Sequence, residues 1–195
     1  MADEFAPRDG DALIVVDVQN DFLPGGALAV GDGDAVVAPL NRLMAAFDEA
    51  GLPVVATRDW HPDGHVSFTA QGGPWPVHCV AGTQGAQFDA DLAVPPGAIV
   101  VSKADTQEKD AYSGFEGTDL GVRLRALGVQ RVFVGGLATD YCVLNTVLDA
   151  RRLGFDVVLL TDAVRAVNVA PADGDEAIAA MLESGATPVE SAAVA

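Results

Sequence analysis

Three residue types that catalyse reactions occupy suggestive positions in this chain. Cys142 follows Gly135-Gly136-Leu137-Ala138-Thr139-Asp140-Tyr141 and lies in the first turn of a stretch with helical pattern. A helix start offers partial positive charge and free N–H groups, which favour thiolate over thiol. The same N–H groups, with that of Ala138, could hold a developing oxyanion. A free cysteine is more often a small buried hydrophobe, and that reading suits Cys79, which has no recognisable helix start. Asp17 ends the apolar run Ala12-Leu13-Ile14-Val15-Val16. Partial burial there would raise its pKa, as suits a general base that later returns its proton, although a capping or turn aspartate accounts for it equally well. Lys103 is one of only two lysines and could stabilise a thiolate and a carboxylate together, but a lone lysine is usually a solvated surface charge. The case rests on the three as a set of acid–base group, cation and nucleophile.

All three histidines, His61, His65 and His78, fall in one stretch of the chain. Asp59-Trp60-His61 puts two potential ligands on alternate residues of an extended segment, and His78 follows on a loop stiffened by Pro74 and Pro76. One carboxylate and two imidazoles suit a divalent ion, with zinc the first expectation and iron or manganese also compatible. His65 could be a further ligand or an outer partner of one. An isolated Asp-x-His is more often a polar turn. The gathering of every histidine here is what argues for a metal.

These groups need a frame that brings them together. Continuous apolar runs at 12–16, 52–56, 98–101, 131–134 and 157–160, with a weaker sixth at 187–190, predict strands buried on both faces, as in a parallel sheet. Helical patterns at 35–50, 118–127, 140–153 and 173–184 alternate with them, and each is followed by a glycine. The pattern predicts an α/β protein, a three-layer α/β/α sandwich with a parallel sheet of about six strands. In the order 3-2-1-4-5-6, Asp17 and the Cys142 segment would flank the point where strand order reverses. Lys103 would then reach inward from an outer strand. The exception is 58–96, an irregular Pro/Gly-rich insertion that holds all the histidines and both tryptophans. A segment of that kind in a compact domain is usually functional.

A length of 195 residues is expected to form a single domain, 1–195. The net charge of −17 repels phosphate backbones and anionic lipid, so neither nucleic acid nor membrane is an expected partner. No apolar run approaches the roughly 20 residues of a membrane span. The opening Met1-Ala2-Asp3-Glu4-Phe5 lacks the layout of a signal peptide, and a cytoplasmic location is expected. Two cysteines are too few for a disulfide framework. A monomer and a homo-oligomer are both compatible with the sequence.

Several segments resemble the isochorismatase-like hydrolases. Asp17-Val18-Gln19-Asn20-Asp21-Phe22 is similar to their opening signature, and 135–143 to their nucleophile segment, for which the resemblance implies a cis peptide near Leu137-Ala138. Within that superfamily, Thr57-Arg58-Asp59-Trp60-His61-Pro62 with Trp75-Pro76-Val77-His78-Cys79-Val80 resembles the metal loop of the nicotinamidase/pyrazinamidase branch. Lys103 followed by Asp110-Ala111-Tyr112-Ser113-Gly114-Phe115 fits the same branch. The resemblance implies a catalytic triad of Asp17, Lys103 and Cys142, an oxyanion hole from Ala138 and Cys142, and metal ligands Asp59, His61 and His78. It also implies Phe22, Trp75 and Tyr112 around a substrate ring. The implied activity is hydrolysis of nicotinamide, with pyrazinamide as a second substrate, to the acid and ammonia through a cysteine thioester, in NAD salvage. One departure is Ala104, where many relatives carry glycine. A metal-free relative acting on isochorismate or an N-carbamoyl amide is the main rival, opposed by the histidine cluster. An inactive scaffold is opposed by the complete triad.

Overall fold

The computed structural model describes residues 4–194, so Met1, Ala2 and Asp3 of the acidic opening lie outside them. Six strands, β1 (Asp11–Val16), β2 (Val54–Asp59), β3 (Ile99–Lys103), β4 (Arg131–Leu137), β5 (Asp156–Arg165) and β6 (Thr187–Val189), pair in parallel in the order β3-β2-β1-β4-β5-β6. This is the expected order. The central strand β1 is buried at every residue, because helices cover both faces of the sheet. On one face α1 (Val37–Glu49) sets Leu40, Leu43, Met44 and Phe47 against Leu13, Val15, Phe133 and Val158. On the other, α2 (Leu120–Ala126), α3 (Leu144–Arg152) and α4 (Asp173–Glu183) cover Ile14, Val16, Val134 and Leu159. Each fully buried aliphatic side chain of this kind contributes about 1.5–3 kcal/mol.

Every α-helix leaves through the glycine that marked its end in the sequence. After α1, Leu52 N–H returns to the Phe47 carbonyl and Gly51 N–H to Asp48, with Gly51 at φ +70°. This is a Schellman ending, and the other three helices repeat it at Gly128, Gly154 and Gly185. The apolar residue after each glycine then enters or approaches the next strand.

Some boundaries differ from expectation. β5 continues to Arg165, past its apolar run, because Val164 and Arg165 pair with Gly136 and Leu137 of β4 beyond a register shift. The helix expected at 140–153 begins as a π-helical turn, Thr139–Val143, in which Val143 N–H reaches the Ala138 carbonyl at 3.1 Å. The peptide bond Leu137–Ala138 is cis, as the resemblance implied. Just before it, Gly136 stands opposite Val16 at φ +125°, and a Cβ there would run into the Val16 backbone. The long insertion is tied down by a short 3₁₀ turn (Thr69–Gln71) and by bridges Gln19–Phe88, His61–Val80 and Phe68–Trp75. Among the described residues no helix is long and apolar enough to cross a membrane.

At the N-terminal edge of the sheet, Arg131 grips the buried carboxylate of Asp11 with two hydrogen bonds of 2.9 and 2.7 Å. Removing the cation alone would leave that charge uncompensated, which typically costs about 3–5 kcal/mol. Arg131→Ala is therefore expected to lower unfolding free energy by about that amount in urea titration. Asp11→Ala on top of it should recover part of the loss.

Candidate active site

The carboxyl ends of β1, β2, β3 and β4 deliver Asp17, Asp59, Lys103 and the Cys142 turn to one edge of the sheet. Lys103 closes the edge strand β3 in register with Asp59 of β2, and its side chain is fully buried. The ammonium Nζ lies 2.5 Å from Asp59 Oδ1, 2.9 Å from Asp17 Oδ2 and 3.4 Å from Cys142 Sγ. It also donates to the Ala111 carbonyl at 3.3 Å. The carboxylates of Asp17 and Asp59 and the Cys142 sulfur lie within 4.8 Å of one another. A long side chain on an outer strand thus reaches the sheet's switch point.

Burial opposes the charge on Lys103, but Asp17 and Asp59 more than offset it and hold its pKa well above the ordinary value. Burial likewise works against Asp59, where Lys103 and His61 prevail and its pKa falls. For Asp17 the balance tips the other way: burial, aided by Asp59, raises the pKa against Lys103 and the Thr57 hydrogen bond. Thr57 donates its hydroxyl to Asp17 Oδ1 at 2.7 Å, while Oδ2 has no hydrogen-bond partner in line among the described residues. Asp17 itself takes a left-handed backbone, φ +48°, the sparse conformation that tends to collect at functional sites.

The thiol corrects one expectation. A helix start was expected to favour a thiolate at Cys142, yet its pKa is raised well above the ordinary value, first by burial and then by Asp17 and Asp59, against Lys103. The turn is also π-helical rather than the first turn of a straight α-helix. The resting group is a neutral thiol beside an acceptor. Cys79 is fully buried, pushed up further by burial, and its N–H donates to Asp21 Oδ2 at 2.7 Å. It packs as a small buried hydrophobe, the reading given to it from the sequence.

Asp59, His61 and His78 form a buried group whose ligand atoms lie within 4.8 Å of one another. A carbonyl can only accept, so the bonds from His61 Nδ1 to Ala104 (3.1 Å) and from His78 Nδ1 to Pro76 (2.8 Å) place the proton on Nδ1 of each ring. That leaves both Nε2 lone pairs free to ligate, the arrangement second-shell partners impose on metal-binding histidines. His61 Nε2 is buried without a hydrogen-bond partner among the described residues, 3.7 Å from Asp59 Oδ2. Burial and His78 depress the His61 pKa to about 4 against the pull of Asp59, which keeps the ring neutral. These donors fit a divalent ion.

His65 does not join them as a further ligand. Its Nε2 donates to the Lys109 carbonyl at 2.9 Å and its Nδ1 accepts from the Ser67 hydroxyl at 2.8 Å. Its ring stacks on His61 at 4.2 Å, the position of an outer partner. The second acidic group, Asp17, Asp59 and Cys142, surrounds the Lys103 ammonium, which supplies the cation there.

Phe22, Trp75 and Tyr112 line one pocket together with Asp59, His78, Ala138 and Cys142. Trp75 Nε1 donates to the Tyr112 hydroxyl at 3.1 Å, and Trp75 meets Tyr141 edge to face at 5.0 Å. The lining is almost wholly apolar, completed by Leu28, Val30, Tyr141 and Val167. The sequence reading missed those four, and also Gln19 and Thr57. Gln19, fully buried, exchanges hydrogen bonds of 2.8 Å with both the N–H and the carbonyl of Asp59. Gln19, Thr57 and Tyr141 lie inside the motifs quoted above and could have been singled out there, whereas Leu28, Val30 and Val167 carry no local signal.

Fold and site define a parallel α/β protein with a buried thiol–carboxylate–ammonium cluster beside a ready set of metal ligands. The isochorismatase domain matches residues 11–193, and the chain belongs to that family. It is 41% identical to the nicotinamidase of Escherichia coli over 197 aligned positions, covering 90% of this chain and 92% of the relative. Among solved structures, the pyrazinamidase of Pyrococcus horikoshii in complex with zinc is 50% identical with a TM-score of 0.89, covering 93% of this chain and 99% of that one. The L. infantum protein PnC1 in complex with nicotinate is 40% identical with a TM-score of 0.88, covering 97% of both chains.

Ala104, where glycine was noted in many relatives, adopts φ +50°. That conformation costs a residue with a Cβ about 1–2 kcal/mol, against about 0.5–1 kcal/mol of extra unfolded-state freedom for glycine. Ala104→Gly is expected to stabilise the protein by about 0.5–1 kcal/mol, read from denaturant midpoints, with the Ala104 carbonyl still accepting from His61.

Proposed function

We propose that this protein is a nicotinamide amidohydrolase, releasing ammonia and nicotinate and also accepting pyrazinamide. It would serve NAD salvage, with cytoplasmic location the expectation for a single-domain enzyme of this kind. The observation that carries the reading is the meeting of a neutral thiol, which lines an aromatic pocket, with a buried carboxylate of raised pKa and a buried ammonium. Support comes also from relatives named for these reactions.

Asp17 takes the proton from Cys142, and the sulfur attacks the carboxamide carbon. The resulting oxyanion is held by the N–H groups of Ala138 and Cys142. Asp17 returns its proton to the departing amine as the C–N bond breaks, which leaves a thioester on Cys142 and frees ammonia. The same carboxylate then deprotonates water, which adds to the thioester. Collapse expels the sulfur, and Asp17 reprotonates it as the acid leaves. Lys103 stabilises the negative charge as it moves between oxygen and sulfur, and Thr57 keeps Asp17 oriented. Phe22, Trp75 and Tyr112 sandwich the flat ring. Asp59, His61 and His78 would hold one divalent ion, zinc first among the candidates, and when bound it supplies a Lewis-acid anchor that orients a ring nitrogen.

Two outcomes are expected. Mass spectrometry of the quenched reaction should find a nicotinoyl adduct on the peptide holding Cys142, and Cys142→Ala should fold and keep metal yet release no ammonia. Hydrolysis by Cys142→Ala would show that another group makes the attack. Elemental analysis should give about one divalent ion per chain, lost in His61→Ala and in His78→Ala, while His65→Ala weakens metal binding or turnover only about 10–100-fold. A protein free of divalent metal that hydrolyses ureido amides faster than nicotinamide would favour the metal-free branch instead.

A further inference from the structure

Asp140 belongs to the π-helical turn that carries Cys142, but its carboxylate is directed at another segment. Oδ1 accepts the Val167 N–H at 2.9 Å and Oδ2 the Asn168 N–H at 2.8 Å. Val167 lines the pocket and packs with Leu28 and Val30 in the same apolar cluster. The segment between β5 and α4 has no regular structure at this point, so its backbone position must be set by side chains. From the far side, Asn168, in the left-handed conformation at φ +54°, accepts the Gly174 N–H at 2.8 Å. A Cβ on Gly174 would come within 2.7 Å of Ala166, so the segment lies hard against α4. A carboxylate that takes two consecutive peptide N–H groups fixes both the translation and the rotation of that peptide.

We propose that Asp140 is a specificity-positioning residue: by tying the Val167 backbone to the nucleophile's own turn, it fixes the pocket wall and confines the site to flat, unsubstituted heteroaryl amides. The inference rests on the amidohydrolase reading above. An apolar pocket distinguishes one methylene by about 10–200-fold only when its wall cannot yield. Val167 hangs on a loop, and Asp140 ties that loop to the turn that carries Cys142.

The test compares nicotinamide with nicotinamides carrying a single methyl at each ring position, measured by ammonia release in the parent protein, Asp140→Ala, Val167→Ala and the double variant. In Asp140→Ala the KM for nicotinamide should rise with kcat little changed, the pattern of lost ground-state binding. At least one methyl derivative should gain about tenfold or more in relative kcat/KM. Val167→Ala should favour the same derivative, and the double variant should gain less than the product of the two, since both act on one wall. A kcat loss without a change in methyl preference, or independent effects of the two substitutions, would overturn the proposal. Should Asp140→Ala fail to fold, Asp140→Asn keeps one acceptor and is held to the same comparison, and unmoved preferences in Val167→Ala would refute the idea alone. No turnover in the parent protein would overturn the amidohydrolase reading and this inference with it; normal turnover with unmoved preferences overturns this inference alone.

Discussion

A buried ammonium is the constraint around which the rest of this site is arranged. Taking one charge out of water costs several kcal/mol even after relaxation, and Lys103 is fully enclosed. It is tolerable because two carboxylates converge on Nζ, with a peptide carbonyl and the thiol completing the shell. The two acids divide their labour by environment. Asp59 bonds the ammonium through Oδ1 and faces His61 through Oδ2, so it stays ionised. Asp17 meets the same ammonium through Oδ2, is driven up by burial, and stands next to the sulfur. A base that must accept and return a proton needs a pKa shifted toward the working range. The shared cation permits that shift without leaving either acid unpaired.

The supporting parts fall into two mechanical classes. Cys142, Asp17 and Lys103, the nucleophile, base and cation of the proposed reaction, stand at or just beyond strand ends, where neighbouring strands in register leave little freedom. The candidate metal ligands begin on the end of β2 and continue into the insertion; Gln19 pins the Asp59 peptide, and carbonyls of Ala104 and Pro76 orient the two imidazoles. The acidic net charge found in the sequence has no part in this. Its cluster members are few and buried, each with a partner.

Much of this was legible before the structure. Continuous β-branched runs with a glycine after each helix predict a sheet covered on both faces, and the strand order follows from placing Asp17 and the Cys142 segment at the switch point. The triad and the histidine loop were readable because rare residues fell at strand ends or gathered in one segment. What escaped depends on tertiary contact. The extension of β5 depends on pairing with Gly136 and Leu137 of β4 beyond a register shift. The protonation state of Cys142 depends on burial and on two carboxylates that come from elsewhere in the chain. His65 was readable as a ligand or as an outer partner, and the sequence does not show that the Lys109 carbonyl and Ser67 engage both its ring nitrogens. Leu28, Val30 and Val167 lie on loops, where neither period nor motif says which way a side chain faces.

Gly136 has a wider bearing than its own turn. Beside Val16 it leaves no room even for a methyl group, so at that level β1 and β4 approach with only backbone between them. Asp17 follows directly from one strand and the turn bearing Cys142 from the other. The strand spacing from which both side chains start is therefore set by two peptide backbones in direct contact.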